Sequence, residues 1–202
     1  MNMKLLVAYD FSGSTYSSEF YHETVQKVLE HYDDYDVVCW NHDLLKSSKE
    51  NLQNINKKRN GTGRTMPIKV AEYLSNTKFE GRVILITDGM ISESDVYDLD
   101  EYLKTHEIKI KQITCHIIQS QKNQKLDATV LAPFLRDYHY DVTLHSLDHN
   151  ESVSLAKGGC SYDEFIKMIQ NINSIEEFEN KYYIICTSKI PNTYSYSKLT
   201  HI

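Results

Sequence analysis

Three oxygen-bearing side chains stand at alternate positions just after the first apolar run: Asp10, Ser12 and Ser14, in Asp10-Phe11-Ser12-Gly13-Ser14. Two more follow at a distance. Thr65 lies in Gly61-Thr62-Gly63-Arg64-Thr65-Met66-Pro67, and Asp88 lies in Thr87-Asp88-Gly89. None of the five is a thiol or an imidazole. A donor set of carboxylate and hydroxyl oxygens favours a hard cation, Mg²⁺ or Mn²⁺. Asp, Ser and Gly after a strand also make ordinary turns and helix caps. The addition of Thr65 and Asp88 is what points to a site.

Such residues need elements that bring them together. Leu5 to Tyr9 is an apolar run without polar alternation, which suits a strand buried on both faces. Val37–Trp40 and Val83–Thr87 read the same way. Ligands in open α/β sheets gather at the carboxyl ends of the strands, and Asp10 and Asp88 each follow such an end. Helices are expected between the strands. Thr15 to His31 carries Phe20, Thr24, Val25, Val28 and Leu29 at helical spacing. Ile68 to Ser75 opens after Pro67, a first-turn residue, and Asp95 to Thr105 has Ser92 or Ser94 as a cap.

Farther along, Ile108 to Ile118 reads as a strand and Leu126 to Tyr138 as a helix interrupted by Pro133. Tyr140 to Leu147 alternates and reads as a strand nearer the sheet edge. Tyr162 to Ile172 reads as a helix and Tyr182 to Cys186 as a last strand, while Leu44 to Asn60 reads as a loop or an edge strand. Strands alternating with helices predict an α/β fold, a doubly wound, mostly parallel sheet with helices on both faces. One domain is expected over residues 1–190, with a loose C-terminal tail at 191–202.

The five residues, in this order and at these strand ends, resemble the von Willebrand factor type A domain. Its metal-ion-dependent adhesion site reads Asp-x-Ser-x-Ser, then a distant Thr, then a distant Asp in a Thr-Asp-Gly setting. The resemblance covers roughly Met3 to Leu147. It implies a Rossmann-like fold in which Ser12 and Ser14 coordinate Mg²⁺ directly and Thr65 does so directly or through water. It implies that Asp10 and Asp88 act mainly through waters. Thr65 is preferred to Thr62 because Pro67 and a helix follow it as they do in the family. The implied function is Mg²⁺-dependent protein binding of an adhesion or scaffold type, with no catalysis. Neutral hydroxyls leave the cation's charge incompletely cancelled, so it seeks an anionic oxygen, which a partner's Asp or Glu can supply.

Two other classes remain open. Asp10 could serve a metal-dependent phosphohydrolase, although Ser12 stands where that chemistry usually wants a second carboxylate. The chain could instead be a metal-free structural subunit of an ATPase-associated assembly. Neither the dinucleotide fingerprint, nor the phosphate-loop Gly-Lys-Ser/Thr, nor a Gly-x-Ser-x-Gly elbow is present. His139, His145 and His149 cluster without an acidic partner and read as surface or core histidines.

Bulk properties narrow the partners. The chain has 22 Lys and Arg against 28 Asp and Glu, a net charge of -6. Lys57, Lys58, Arg59 and Arg64 are its only basic cluster, read as a solvated loop, so neither nucleic acid nor an anionic membrane is expected. No run is long enough to span a bilayer, and Leu5 to Tyr9 is too short for a secretory signal. Cys39, Cys115, Cys160 and Cys186 are widely spaced and read as small buried hydrophobes, which fits a cytoplasmic setting.

Overall fold

A computed structural model of the chain describes residues 3–52, 63–124, 126–134, 139–148, 151–155 and 196–200. Its centre is a parallel sheet built from β1 (Leu5–Asp10), β2 (Asp36–Trp40), β4 (Arg82–Thr87), β5 (Gln112–Ile118) and β6 (His139–Ser146). β3 (Leu44–Ser47) adds to one edge antiparallel to β2. β7 (Glu151–Leu155) and β8 (Tyr196–Thr200) extend the other edge, also antiparallel. The order is β3-β2-β1-β4-β5-β6-β7-β8. Its first six strands follow the doubly wound order, in which the chain reverses direction across the sheet between β1 and β4.

The alternation of side chains along β1 divides the core in two. Leu6 and Ala8 face α3 (Ile68–Asn76) and α4 (Glu93–Thr105), packing with Val70, Ala71, Leu74 and Leu99. Val7 and Tyr9 face α2 (Glu19–Leu29), packing with Tyr21, Val25, Val28 and Leu29. Helices therefore cover both faces, and β1 and β4 are buried on both sides, as continuous apolar strands must be. Each large side chain withdrawn from water here contributes roughly 1.5–3 kcal/mol.

Several elements differ from the sequence reading. The helix expected from Thr15 to His31 is broken into α1 (Gly13–Tyr16) and α2, because Ser18 turns its hydroxyl to accept the Tyr21 N–H and caps a new helix. Leu44–Ser47 takes the edge-strand option, and a 3-10 turn follows at Lys49–Asn51. The segment around Pro133 forms a 3-10 helix, Thr129–Phe134; proline removes a donor that a longer α-helix would need. The fourth strand is shorter than expected, Gln112–Ile118. His139–Ser146 has two further strands outside it and so lies inside the sheet. Tyr196–Thr200, read from sequence as part of a loose tail, pairs with β7 through backbone bonds that composition does not reveal. The expected helix at Tyr162–Ile172 and strand at Tyr182–Cys186 lie outside the described residues. Among those residues no helix is long and apolar enough to cross a membrane.

Candidate functional site

β1 and β4 are neighbours in register, Tyr9 opposite Ile86, so the residues after them emerge side by side at the carboxyl edge of the sheet. That register makes Asp10 and Asp88 a pair. Both are fully buried. Asp10 is held from two sides: Oδ1 accepts the Ser12 N–H at 2.9 Å, and Oδ2 accepts the Thr87 hydroxyl at 2.6 Å. Tyr9 packs against the rings of Phe11 and Tyr21, and the Tyr21 hydroxyl donates to the Asp10 carbonyl at 3.1 Å. Burial, reinforced by the nearby charge of Asp88, pushes the Asp10 carboxyl up to about 7. The bonds from Thr87 and Ser12 oppose that shift without cancelling it.

Ser12 and Ser14 sit at the start of α1. Their hydroxyl oxygens are 3.1 Å apart, with Ser12 buried and Ser14 half-buried. Thr15 fixes this turn by donating its hydroxyl to the Ser12 carbonyl at 3.1 Å. Thr65 is brought near by the end of β2, where the Met66 N–H donates to the Asn41 carbonyl at 3.1 Å. Ser14 and Thr65 share a cleft of about 370 Å³ with Gly63, Arg64, Met90, Ser92, Ser94 and Asp95. Arg64 crosses it, its Nε 3.1 Å from the buried Asp95 carboxylate and its Nη2 donating to Ser94 at 3.2 Å. Thr62, the competing loop threonine, lies outside the described residues.

After β4, Asp88 Oδ1 accepts the Met90 N–H at 3.0 Å and Oδ2 accepts the Ser120 hydroxyl at 2.7 Å. Gly89 makes the tight turn possible: its φ is +77°, and an added Cβ would stand 2.3 Å from the Asp127 carbonyl oxygen. Gly89→Ala should therefore cost about 1–3 kcal/mol through left-handed backbone and that collision. Thermal unfolding checks it, and an unchanged melting temperature would show that the turn can relax.

The donor set suits a small hard cation. Adjacent ligands on an octahedron with bonds of about 2.1 Å lie about 3.0 Å apart, close to the 3.1 Å between the serine hydroxyls. Burial and the nearby Asp88 charge oppose ionisation of Asp10, a penalty that a divalent ion would remove. Among the described residues no group of three or more His, Cys, Asp and Glu is placed to hold a metal. Such a group is the signature of softer or all-carboxylate sites, not of hydroxyl sites.

Three contributors escaped the sequence reading: Thr87 as a partner for Asp10, and Ser120 with Gln124 around Asp88. Thr87 ends β4, and Ser120 and Gln124 follow the end of β5; that position was the available signal. Of the clustered histidines, His145 is buried and pairs with His116 of β5 at 3.1 Å. Burial, with Arg82 beyond it, pushes the His116 imidazole down to about 4, and burial with His116 holds His145 well below its ordinary value. Cys39 and Cys115 are both buried. Nothing is described at His149, Cys160 or Cys186.

Fold and site together define a doubly wound α/β domain carrying a carboxylate–hydroxyl cluster at the carboxyl edge of its sheet. No family model matches the chain, and no curated protein matches it. Among solved structures it is similar to BatB from Bacteroides thetaiotaomicron, at 12% identity and a TM-score of 0.43 over 63% of this chain and 72% of that one. It is similar to a variant of the PilB minor pilin from Streptococcus sanguinis, at 12% identity and 0.46 over 91% and 64%. An aerotolerance-related membrane protein from Bacteroides fragilis gives 8% identity and 0.41 over 93% and 100%. At this level of similarity the fold class rests on strand order and not on these likenesses.

Proposed function

We propose that this chain is a protein-binding domain of the von Willebrand A type, and that it captures an acidic side chain of its partner through a bound Mg²⁺ or Mn²⁺. The observation that carries the reading is the pairing of two fully buried carboxylates, Asp10 and Asp88, with serine hydroxyls 3.1 Å apart beside an open cleft. Ser12, Ser14 and Thr65 would hold the ion, with Asp10 and Asp88 oriented behind them. The ion supplies an electrophilic position that an anionic oxygen completes. Arg64, exposed in the same cleft and paired there with Asp95, offers further N–H donors where such a group would arrive.

The surroundings of Asp10 support holding over attack. Both its oxygens accept hydrogen bonds and the residue has no exposed surface, so no substrate phosphorus has an open line to it. On this reading the domain performs no catalysis of its own, and its setting is cytoplasmic.

The direct test is metal titration by calorimetry, or by Mn²⁺ paramagnetic resonance, in wild type, Ser12→Ala and Ser14→Ala. One site is expected in the wild type, weakened at least tenfold by each substitution, a loss of about 1.4 kcal/mol or more. Equal binding in all three chains would remove the metal from this cluster. Absence of any divalent binding in the wild type would favour a metal-free structural role.

A further inference from the structure

We infer that Ser120 and Gln124, in the turn after β5, are positioning residues for Asp88, and that this turn sets the metal affinity and selectivity of the site. The inference rests on the metal-binding reading above and adds a third loop to it. Asp88 is gripped twice by the one turn. The Ser120 hydroxyl donates to its Oδ2 at 2.7 Å, and Gln124 Nε2 donates to its main-chain carbonyl. The remaining carboxylate oxygen is fixed by the Met90 N–H. Neither the side chain nor the backbone of Asp88 is left to rotate.

The turn is itself locked. Gln124 Oε1 accepts the N–H groups of Ser120 at 2.7 Å and Gln121 at 3.2 Å. It also lies 3.0 Å from the Ser120 hydroxyl, but that hydroxyl has one proton and the nearer Asp88 Oδ2 takes it. Asn123 adopts left-handed backbone, φ 58°, and its N–H donates to Asp148 Oδ2 at 2.9 Å. Gln119 completes the brace: its Oε1 accepts the Leu147 N–H and its Nε2 donates to the Gln124 carbonyl, each at 2.6 Å. The grip on Asp88 is thus anchored to the loop after β6. Ser120 is 7% exposed and Asp88 fully buried, so water does not compete for the bond.

The consequence is selectivity as well as affinity. Mg²⁺ demands near-ideal octahedral geometry, whereas Ca²⁺ tolerates loose and variable ligands. A carboxylate held rigidly behind the ion favours the first. Partners that orient metal-binding groups typically account for 10–100-fold in affinity.

The experiment titrates Mg²⁺ and Ca²⁺ into the full chain as wild type, Ser12→Ala, Ser120→Ala, Ser120→Thr and Gln124→Leu. Each chain is also melted in EDTA. Ser120→Ala and Gln124→Leu should lose about 10–100-fold in Mg²⁺ affinity and clearly less for Ca²⁺. Ser120→Thr keeps the hydroxyl and should stay near wild type. If Ser120→Ala does not fold, Ser120→Cys takes its place, since a thiol fills the space and donates only weakly. Suppose Ser12→Ala loses the metal while Ser120→Ala and Gln124→Leu bind Mg²⁺ as wild type does. The inference then fails and the site stands. Equal losses for Mg²⁺ and Ca²⁺, with a lower melting point in EDTA, reduce the turn to a structural role and also overturn it. A wild type that binds no metal, or a Ser12→Ala chain that binds normally, overturns the site reading and this inference together.

Discussion

In EDTA at pH 8, Asp10→Asn should melt at a higher temperature than the wild type, and the gap should close as the pH falls to 4. The reason is the sign of the Asp10 shift. Its carboxyl titrates at about 7 in the folded chain against 3.8 for the free group. Below that lower value both states hold the proton and Asp10 contributes nothing. Between the two values the folded chain binds the proton and the unfolded chain has released it, so stability falls as pH rises. Above about 7 the penalty is complete, on the order of 4 kcal/mol for a fully buried group.

Asparagine resembles the protonated acid and escapes this penalty. The buried histidines act with the opposite sign. Their depressed values destabilise the fold as pH drops below their ordinary range. Comparing the two chains at each pH cancels that contribution and isolates Asp10. On the metal-binding reading, Mg²⁺ should raise the melting point of the wild type at pH 8 and leave Asp10→Asn nearly unmoved. If the two melting curves keep a constant separation from pH 4 to 8, Asp10 carries no unusual proton affinity.

The second large effect concerns the partner. On the proposed reading, Ser14→Ala should abolish partner binding without unfolding the domain, since Ser14 is half-buried in the short helix α1 and outside both apolar clusters. A change of the partner's capturing Asp or Glu to its amide should do the same. Breaking one member of a desolvated charge contact costs about 2–5 kcal/mol, enough to lose a micromolar complex. Met90 and Tyr16, 47% and 42% exposed, lie close in sequence to Asp88 and Ser14 and would offer a partner apolar contact. Their burial would account for residual, metal-independent affinity. The measurement is affinity for the purified partner with Mg²⁺, with EDTA and with Ser14→Ala. Three equal values would move the interface to another face of the domain.

How much of this was legible in the sequence depends on the range of each interaction. Asp10, Ser12, Ser14 and Asp88 could be found because an apolar run that stops at a carboxylate is a local signal. Thr65 was preferred to Thr62 on the family resemblance, because Pro67 and a helix follow it. The mostly parallel, doubly wound class of the sheet followed from strands alternating with helices, and the two-faced burial of β1 from its lack of alternation. Interactions that close over a long stretch of chain were not legible. The Thr87 hydroxyl meets a carboxylate 77 positions away and Ser120 one 32 positions away, and neither serine nor threonine advertises its partner. His116 likewise gave no sign of reaching His145 across two strands. The break at Ser18 was local and available in principle: a serine inside an apparently helical run is also a cap. There the apolar spacing ran on through the break and concealed it.

The register between β1 and β4 also governs when the site can exist during folding. Parallel neighbours so far apart in sequence must close a long loop before they pair, which makes such pairing slow and late. Asp10 and Asp88 are not a pair in the unfolded chain, nor in any intermediate that lacks the β1–β4 ladder. On the metal-binding reading, a cation that needs both carboxylates finds no target until the centre of the sheet is assembled. Its binding energy then falls on the native side of the barrier. Where the β1–β4 ladder forms after the transition state, such binding would lengthen the lifetime of the folded domain and leave the rate of reaching it unchanged.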